Sequence, residues 1–301
     1  MISLHIEPTT RCTLACPRCE RTVLIDKFGK KNFGIHDIDV ASLVSFINCP
    51  VDNISLCGNK GDPIYHPNFI DLVTELKKLC KRISIITNGS YKNPEWWKNL
   101  VSCLDDNDNI TFSIDGTFDN FTEYRINADK DSIIDGIKNC VGKVHTSWKF
   151  IPFSFNQDNI SEAKKYSKEL GIDSFNVVYS DRWEVNDPLR PGENMIGPKD
   201  YVQQSIKAGI SNDFDIVPKC SDESMHFISA DGLYAPCAFS KNFNFYYKSK
   251  WWKNKTLYNI NTSKLSDQLT NFEEFYKTIQ EKRYDYCVFN CGKTKIEVRQ
   301  G

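Results

Sequence analysis

Nothing in the 301-residue chain approaches the roughly 18 consecutive apolar residues of a membrane-spanning helix. Its opening, MISLHIEPTTRC, also lacks a basic stretch leading into an apolar one. A cytoplasmic location with no membrane association is the expectation. Charge of one sign is missing too: 38 Lys and Arg stand against 39 Asp and Glu, for a formal net charge of -1. That is too little field to gather nucleic acid or an anionic membrane. No internal repeat or low-complexity tract is present. One further absence is local. The stretch TTRCTLACPRCERT (9–22) puts Cys12, Cys16 and Cys19 within eight residues and offers no fourth sulfur nearby, whereas a closed structural zinc site takes four ligands.

What is present suits a well-packed globular chain. Hydrophobic residues make up 40% and aromatic residues 13%, enough for one large domain or one with a small appendage. The 12 cysteines are too sparse for a small secreted disulfide scaffold. Seven fall into two groups, Cys12, Cys16, Cys19 and Cys220, Cys237, Cys287, Cys291, a grouping that favours metal or cluster ligation in a reducing compartment. Cys49, Cys57, Cys80, Cys103 and Cys140 are scattered among apolar residues and read as small buried hydrophobes.

The first two thirds alternate strand-like and helix-like runs. ISLHIE (2–7), NISLC (53–57), RISIIT (82–87), NITFSID (109–115), SWKFIPFSF (147–155) and SFNVVYS (174–180) are the expected strands. Between them lie DVASLVSFI (39–47), NFIDLVTELKKL (68–79), PEWWKNLVSCL (94–104), SIIDGIKNCV (132–141) and SEAKKYSKEL (161–170). Successive βα units imply a parallel sheet. Six are too few for a closed eight-fold barrel, so a partial (β/α)6 TIM-like barrel over 1–215 is expected. Its chemistry belongs on the loops at the C-terminal strand ends, where TTRCTLACPRC, CGNKGDP, TNGS, SIDG and YSDR all fall. After about residue 215 the rhythm stops. A hairpin over 225–237 with a turn at Asp231-Gly232 and a helix over 266–283 are expected within a small cysteine-rich C-terminal domain, 216–301.

Three thiolates on one loop can face a single cube of iron and sulfide. Zinc would need a fourth ligand such as His5 or His36, the first inside the preceding strand and the second well beyond the loop. A cube held by three cysteines leaves one iron open. C-x3-C-x2-C after the first strand of a partial barrel resembles the radical S-adenosylmethionine superfamily, and CTLACPRCERT is similar to members carrying Cys-Pro-x-Cys followed closely by Arg. Arg18 stands where that family often has an aromatic residue. The resemblance implies S-adenosylmethionine bound to a three-cysteine [4Fe-4S] cluster, reductive cleavage to a 5'-deoxyadenosyl radical, and hydrogen abstraction from a substrate C–H bond. Lys60-Gly61-Asp62-Pro63 corresponds to the family's Gly-Gly-Glu-Pro motif, with Lys60 and Asp62 as departures. Carried over in the same way, Lys60, Gly61, Asp62, Asn88, Ser113, Asp115, Arg125 and Tyr179 are the expected cofactor contacts, with Ser113 on the ribose, Arg125 on the carboxylate and Tyr179 near the adenine.

The tail resembles the auxiliary-cluster extension called SPASM, or in its short form twitch: Cys220, Gly232, Cys237 and then Cys287-x3-Cys291. By that resemblance the four cysteines hold a second [4Fe-4S] cluster with no open iron, suited to electron transfer and favouring net oxidation or cross-linking. The substrate implied is a peptide or small molecule, and the electron source an external donor such as flavodoxin or ferredoxin. The first cluster cysteine comes at residue 12, so no fused N-terminal peptide-recognition domain is expected. YYKSKWWKNK (246–255) could bind phosphates and bases, but it also reads as a solvated loop over packed tryptophans. A different class of reading stays open, a non-catalytic iron-sulfur or zinc protein for electron transfer or binding.

Overall fold

Each expected βα strand forms, and all six lie side by side in parallel. In the computed structural model, which describes residues 1–180, 183, 186–196, 214–217, 225–238, 253–270 and 285–294, they are β1 (Ser3–Ile6), β2 (Val51–Leu56), β3 (Cys80–Thr87), β4 (Asn109–Ser113), β5 (His145–Phe150) and β6 (Ser174–Val177). Their order in the sheet follows their order in the chain, as right-handed βα crossovers produce. This is the partial barrel expected. Strand residues Ile54 and Leu56, Ile83 and Ile85, and Ile110 and Phe112 are fully buried, each pair two positions apart and so on one face of the sheet.

Helices follow the strands in turn: α1 (Glu20–Phe28), the short α2 (Lys30–Phe33), α3 (Val40–Phe46), α4 (Phe69–Lys77), α5 (Pro94–Val101), α6 (Lys130–Cys140) and α7 (Ile160–Glu169). Local chemistry sets several starts. Asp39, Asn93 and Asp129 accept from the backbone N–H groups of Ser42, Trp96 and Ser132 at 2.8, 2.8 and 2.7 Å, the usual N-cap bond. Pro94 occupies the first turn of α5, where its missing N–H costs nothing. On the buried faces an aromatic row runs from Phe69 through Trp96 and Trp97 to Phe112, with ring centroids 6.0, 5.0 and 5.5 Å apart. Gly136 on α6 makes room for it, because a Cβ there would lie 2.8 Å from the Trp97 ring.

The hairpin expected at Asp231-Gly232 is present, β8 (Met225–Ile228) turning into β9 (Tyr234–Ala235). Gly232 has φ +76°, which a side chain would disfavour. The hairpin extends the barrel sheet: β8 pairs in parallel with β1, Ser3 opposite Met225 and Ile6 opposite Ile228. The sheet therefore runs past residue 215, the boundary expected between two domains. A separate antiparallel pair joins β7 (Phe214–Ile216) to β10 (Gly292–Thr294). Helices α8 (Leu265–Thr270) and α9 (Asp285–Cys291) complete the described tail. Residues 271–283 of the expected helix, 246–252 of the basic-aromatic stretch and Cys220 lie outside the described residues. Of the five scattered cysteines only Cys140 is fully buried; Cys49, Cys57, Cys80 and Cys103 are partly exposed. The apolar letters around them mark helix and strand ends, not the sheet interior.

Candidate active site

The cysteine loop leaves the C-terminal end of β1 and is pinned before its first thiol. Thr9 Oγ1 donates to Asp37 at 2.6 Å, and the Arg11 guanidinium grips the same carboxylate at 2.9 to 3.0 Å. Thr10 exchanges bonds with His36, its N–H reaching His36 O and its Oγ1 accepting from His36 N–H, both at 2.9 Å. A turn then closes from Cys19 N–H to Cys16 O at 3.1 Å, and α1 begins directly after Cys19. Neither His5 nor His36 serves the thiols: the His5 ring bonds Cys57 O at 3.1 Å, and His36 sits exposed in the loop opposite Thr10.

Each thiol faces a different βα loop. Cys12 Sγ accepts from Leu14 N–H at 3.4 Å and from Asn88 Nδ2, after β3, at 3.7 Å. Cys19 Sγ lies 3.9 Å from Asn59 O, after β2. Cys16 is met by Arg125 from beyond β4. Burial pushes the Cys12 thiol up to about 12 and the Cys16 thiol up to about 11, Arg125 opposing the shift at Cys16. Unligated, both stay neutral at pH 7; as thiolates they need positive charge, which a bound metal supplies while protons leave.

The second loop is bolted to the first. Lys60 N–H donates to Glu7 Oε1 at 2.5 Å and Asp62 N–H to Arg11 O at 2.8 Å. Gly61 crosses the cysteine loop so closely that a Cβ would lie 2.0 Å from Thr9 O. The Asp62 carboxylate faces protein: it accepts from Thr87 Oγ1 at 2.8 Å, Asn88 N–H at 2.6 Å and Ile64 N–H at 3.3 Å. Burial outweighs these donors and pushes it up to about 6.

Asp115 and Arg125 form a buried pair. Arg125 Nε and Nη2 both sit 2.7 Å from Asp115 Oδ2, while Asp115 Oδ1 accepts from Ile151 N–H at 2.9 Å. Asn156, also buried, donates to Asp115 O at 3.0 Å. The Asp115 carboxylate holds Arg125 firmly protonated despite its burial. Ser113 is buried at the end of β4, and Tyr179 after β6 is 46% exposed.

The donor set is three thiols, the usual ligands of an iron-sulfur cluster. Among the described residues no three His, Cys, Asp or Glu groups converge on a single-metal site, yet three thiols gather beside an apolar cluster of Leu14, Tyr124, Phe153 and Trp183. Arg21, two residues beyond Cys19, and Trp183 carry buried N–H donors, Arg21 Nε and Nη1 and Trp183 Nε1, with no partner among the described residues. Buried donors of this kind are normally satisfied, and cluster sulfurs accept such bonds.

Comparison with known proteins gives no matching family model. A curated relative, the tungsten-containing aldehyde ferredoxin oxidoreductase cofactor-modifying protein of Pyrococcus furiosus, is 32% identical over 98 residues, covering 33% of this chain and 27% of that protein. Among solved structures, Streptococcus suis SuiB bound to S-adenosylmethionine matches with TM-score 0.55 and 17% identity over 85% of this chain and 66% of SuiB. SuiB bound to precursor peptide SuiA gives 0.57, 17%, 88% and 64%, and anSMEcpe with bound AdoMet gives 0.58, 16%, 88% and 76%.

The chain has the partial-barrel fold of SuiB and anSMEcpe. Within it, the structure brings Cys12, Cys16, Cys19, Asn88, Asp115 and Arg125 to one end of the sheet, with Lys60, Gly61 and Asp62 as the bracing loop. No described hydrogen bond joins Ser113 or Tyr179 to them. In the tail of this fold, Cys287 and Cys291 share one face of α9, and Val217 N–H donates to Cys291 O at 2.9 Å. Residues missed from the sequence are Glu7, Asn156, Trp183 and the pair Arg18–Asp187. Arg18 stands within the cysteine spacing, but its partner Asp187 is 169 residues away, and Glu7, Asn156 and Trp183 belong to no recognisable spacing.

Proposed function

We propose that the chain is a radical S-adenosylmethionine enzyme acting on a substrate C–H bond. The observation that carries this reading is the cysteine loop at the mouth of the partial barrel, with its three thiols turned toward the loops after β2, β3 and β4. When bound, the three-cysteine [4Fe-4S] cluster and S-adenosylmethionine supply reductive sulfonium cleavage and a 5'-deoxyadenosyl radical for hydrogen abstraction. The protein's own share is placement and exclusion of water. Cys12, Cys16 and Cys19 would hold the cluster; Arg125, fixed by Asp115, brings positive charge to the Cys16 side; Asn88 bonds Cys12; the loop Lys60-Gly61-Asp62 fixes the approach of its neighbours. Ser113 and Tyr179 stand as the ribose and adenine contacts.

For the tail the reading is a twitch-like unit, 216–301, in which Cys220, Cys237, Cys287 and Cys291 close an auxiliary [4Fe-4S] cluster. The bond from Val217 to Cys291 supports it, since Cys220 follows three residues later. A fully ligated cluster favours electron transfer, hence net oxidation or cross-linking of a peptide or small molecule, with electrons delivered by a flavodoxin or ferredoxin. The likeness to SuiB bound to precursor peptide SuiA supports a peptide. The test is anaerobic reconstitution and reduction: 5'-deoxyadenosine should form from S-adenosylmethionine, and Cys16→Ala should stop it without changing the unfolding curve. Metal analysis that finds zinc without iron or sulfide would sink the proposal.

A further inference from the structure

Trp183 is 3% exposed, and its indole N–H is buried without a hydrogen-bond partner among the described residues. Leaving such a donor unmade costs about 1–3 kcal/mol, so some acceptor should meet it in the working protein. Its surroundings narrow the choice. The ring meets Phe153 edge-on at 5.3 Å and belongs to one buried cluster with Cys16, Leu14 and Tyr124, against which Cys12 and Cys19 also pack. Besides the sulfurs, the polar groups at this cluster are the Tyr124 hydroxyl and the Arg125 guanidinium, which lies 5.6 Å over the Tyr124 ring and has only donors to offer.

A second feature fastens this region to the cysteines. Arg18, between Cys16 and Cys19, makes a two-pronged pair with Asp187, Nε to Oδ2 at 2.7 Å and Nη2 to Oδ1 at 2.8 Å. The Asp187 carboxylate is 1% exposed and also accepts from Leu189 N–H at 3.0 Å. On the other side Ser154, beyond β5, donates through Oγ to Pro188 O at 2.7 Å and through N–H to Leu189 O at 3.1 Å. Residues 187–189 are thus tied both to the cysteine loop and to the loop after β5. A forked Arg–carboxylate pair adds geometric definition as well as energy.

We propose that the Trp183 indole N–H donates a hydrogen bond to a sulfur of the cluster held by Cys12, Cys16 and Cys19, and that Arg18–Asp187 positions it. The inference rests on the three-cysteine cluster of the proposed function. Hydrogen bonds to cluster sulfurs help set the reduction potential; they favour the more negative, reduced state. Trp183 therefore makes the first cluster easier to reduce.

The test uses the full chain reconstituted with iron and sulfide, as wild type, Trp183→Phe and Asp187→Asn, with EPR-monitored redox titration. Trp183→Phe keeps an aromatic ring and removes the donor; the reduction equilibrium should fall about tenfold, ~59 mV for a one-electron couple. Asp187→Asn should shift the potential in the same direction by less. In protein carrying 15N-indole tryptophan, pulsed EPR of the reduced cluster should show a nitrogen coupling that Trp183→Phe abolishes. An unchanged potential overturns the inference, and so does an unchanged potential with weaker S-adenosylmethionine binding, which hands the donor to the cofactor. Should Trp183→Phe not fold, the labelled wild type decides: no 15N coupling refutes the bond. A wild type that takes up no iron and sulfide is a different failure, that of the enzyme reading itself, and shows before any variant is made.

Discussion

Replacing Arg125 with Met in the metal-free protein should be among the most damaging single changes at the site. The substitution keeps much of the aliphatic stem and removes the cation from Asp115, whose carboxylate is 0% exposed. Both contacts are 2.7 Å long. Opposite charges about 4 Å apart attract by about 4 kcal/mol at an effective dielectric near 20, and breaking a buried pair costs about 3–5 kcal/mol because one charge is stranded. Ile151 N–H, at 2.9 Å from Oδ1, is the support left to the carboxylate besides the cation. Arg125→Met is therefore expected to destabilise by about 3–5 kcal/mol. Adding Asp115→Asn removes the stranded charge, so the double variant should recover part of the loss, with a coupling of about 2–3 kcal/mol. Urea unfolding of reduced apo-protein, wild type with both singles and the double, measures this. Losses that add to within about 0.5 kcal/mol would refute a directly coupled pair.

Gly61→Ala places a Cβ 2.0 Å from Thr9 O, so the two loops must part; iron bound per chain after reconstitution should drop sharply, and full iron content would contradict the crossing. Gly136→Ala sets a methyl group 2.8 Å from the Trp97 ring, and overpacking should destabilise by about 1–3 kcal/mol even though Ala favours helix; a gain in the thermal midpoint would show that the ring can yield. Asp62 is raised to about 6 by burial, above the ordinary carboxylate value of about 4, so the folded chain holds that proton more tightly than the unfolded chain. Its contribution is fully present below about pH 4 and lost as pH rises through 6. The stability of wild type relative to Asp62→Asn should fall by roughly 3 kcal/mol between pH 4 and 7, two units at about 1.4 each; parallel pH curves would show that the native carboxyl is not raised.

The βα rhythm was legible because the buried apolar positions of each strand recur within a few letters: RISIIT sets Ile83 and Ile85, and NITFS Ile110 and Phe112, two positions apart, all fully buried, and Asp39, Asn93 and Asp129 mark the next helices with caps a few residues away. The cysteine loop was legible for the same reason, all three thiols being local in sequence. What stayed hidden depends on distant arrivals. The turn at Asp231-Gly232 is a local signal, but nothing near Met225 announces that β8 will pair in parallel with β1 at the other end of the chain. Asp62 reads as one acid in a turn, and only the fold brings Thr87 and Asn88 to it. Trp183 and Asp187 stand in a stretch without periodicity, and their partners on the cysteine loop lie at the opposite end of the barrel sequence.

One consequence follows for the residues carried over as cofactor contacts. Asp62 already accepts three protein donors, and Asp115 is shared between Arg125 and Ile151 N–H. Their carboxylates brace loops, so substituting them acts first on the order of the cysteine loop and only through it on a bound cofactor. Under the proposed function, direct contacts fall instead to groups with capacity left, the backbone carbonyls of the loop at Gly61 and the buried donors of Arg21, while the Trp183 donor is taken up by the cluster. This division separates two measurements. Asp62→Asn should lower iron uptake and S-adenosylmethionine affinity together, because both depend on one braced loop. A substitution at a true contact should weaken S-adenosylmethionine binding while the iron content holds. If Asp62→Asn left iron uptake intact and weakened only the cofactor, its carboxylate would have to turn away from Thr87 and Asn88 in the loaded protein.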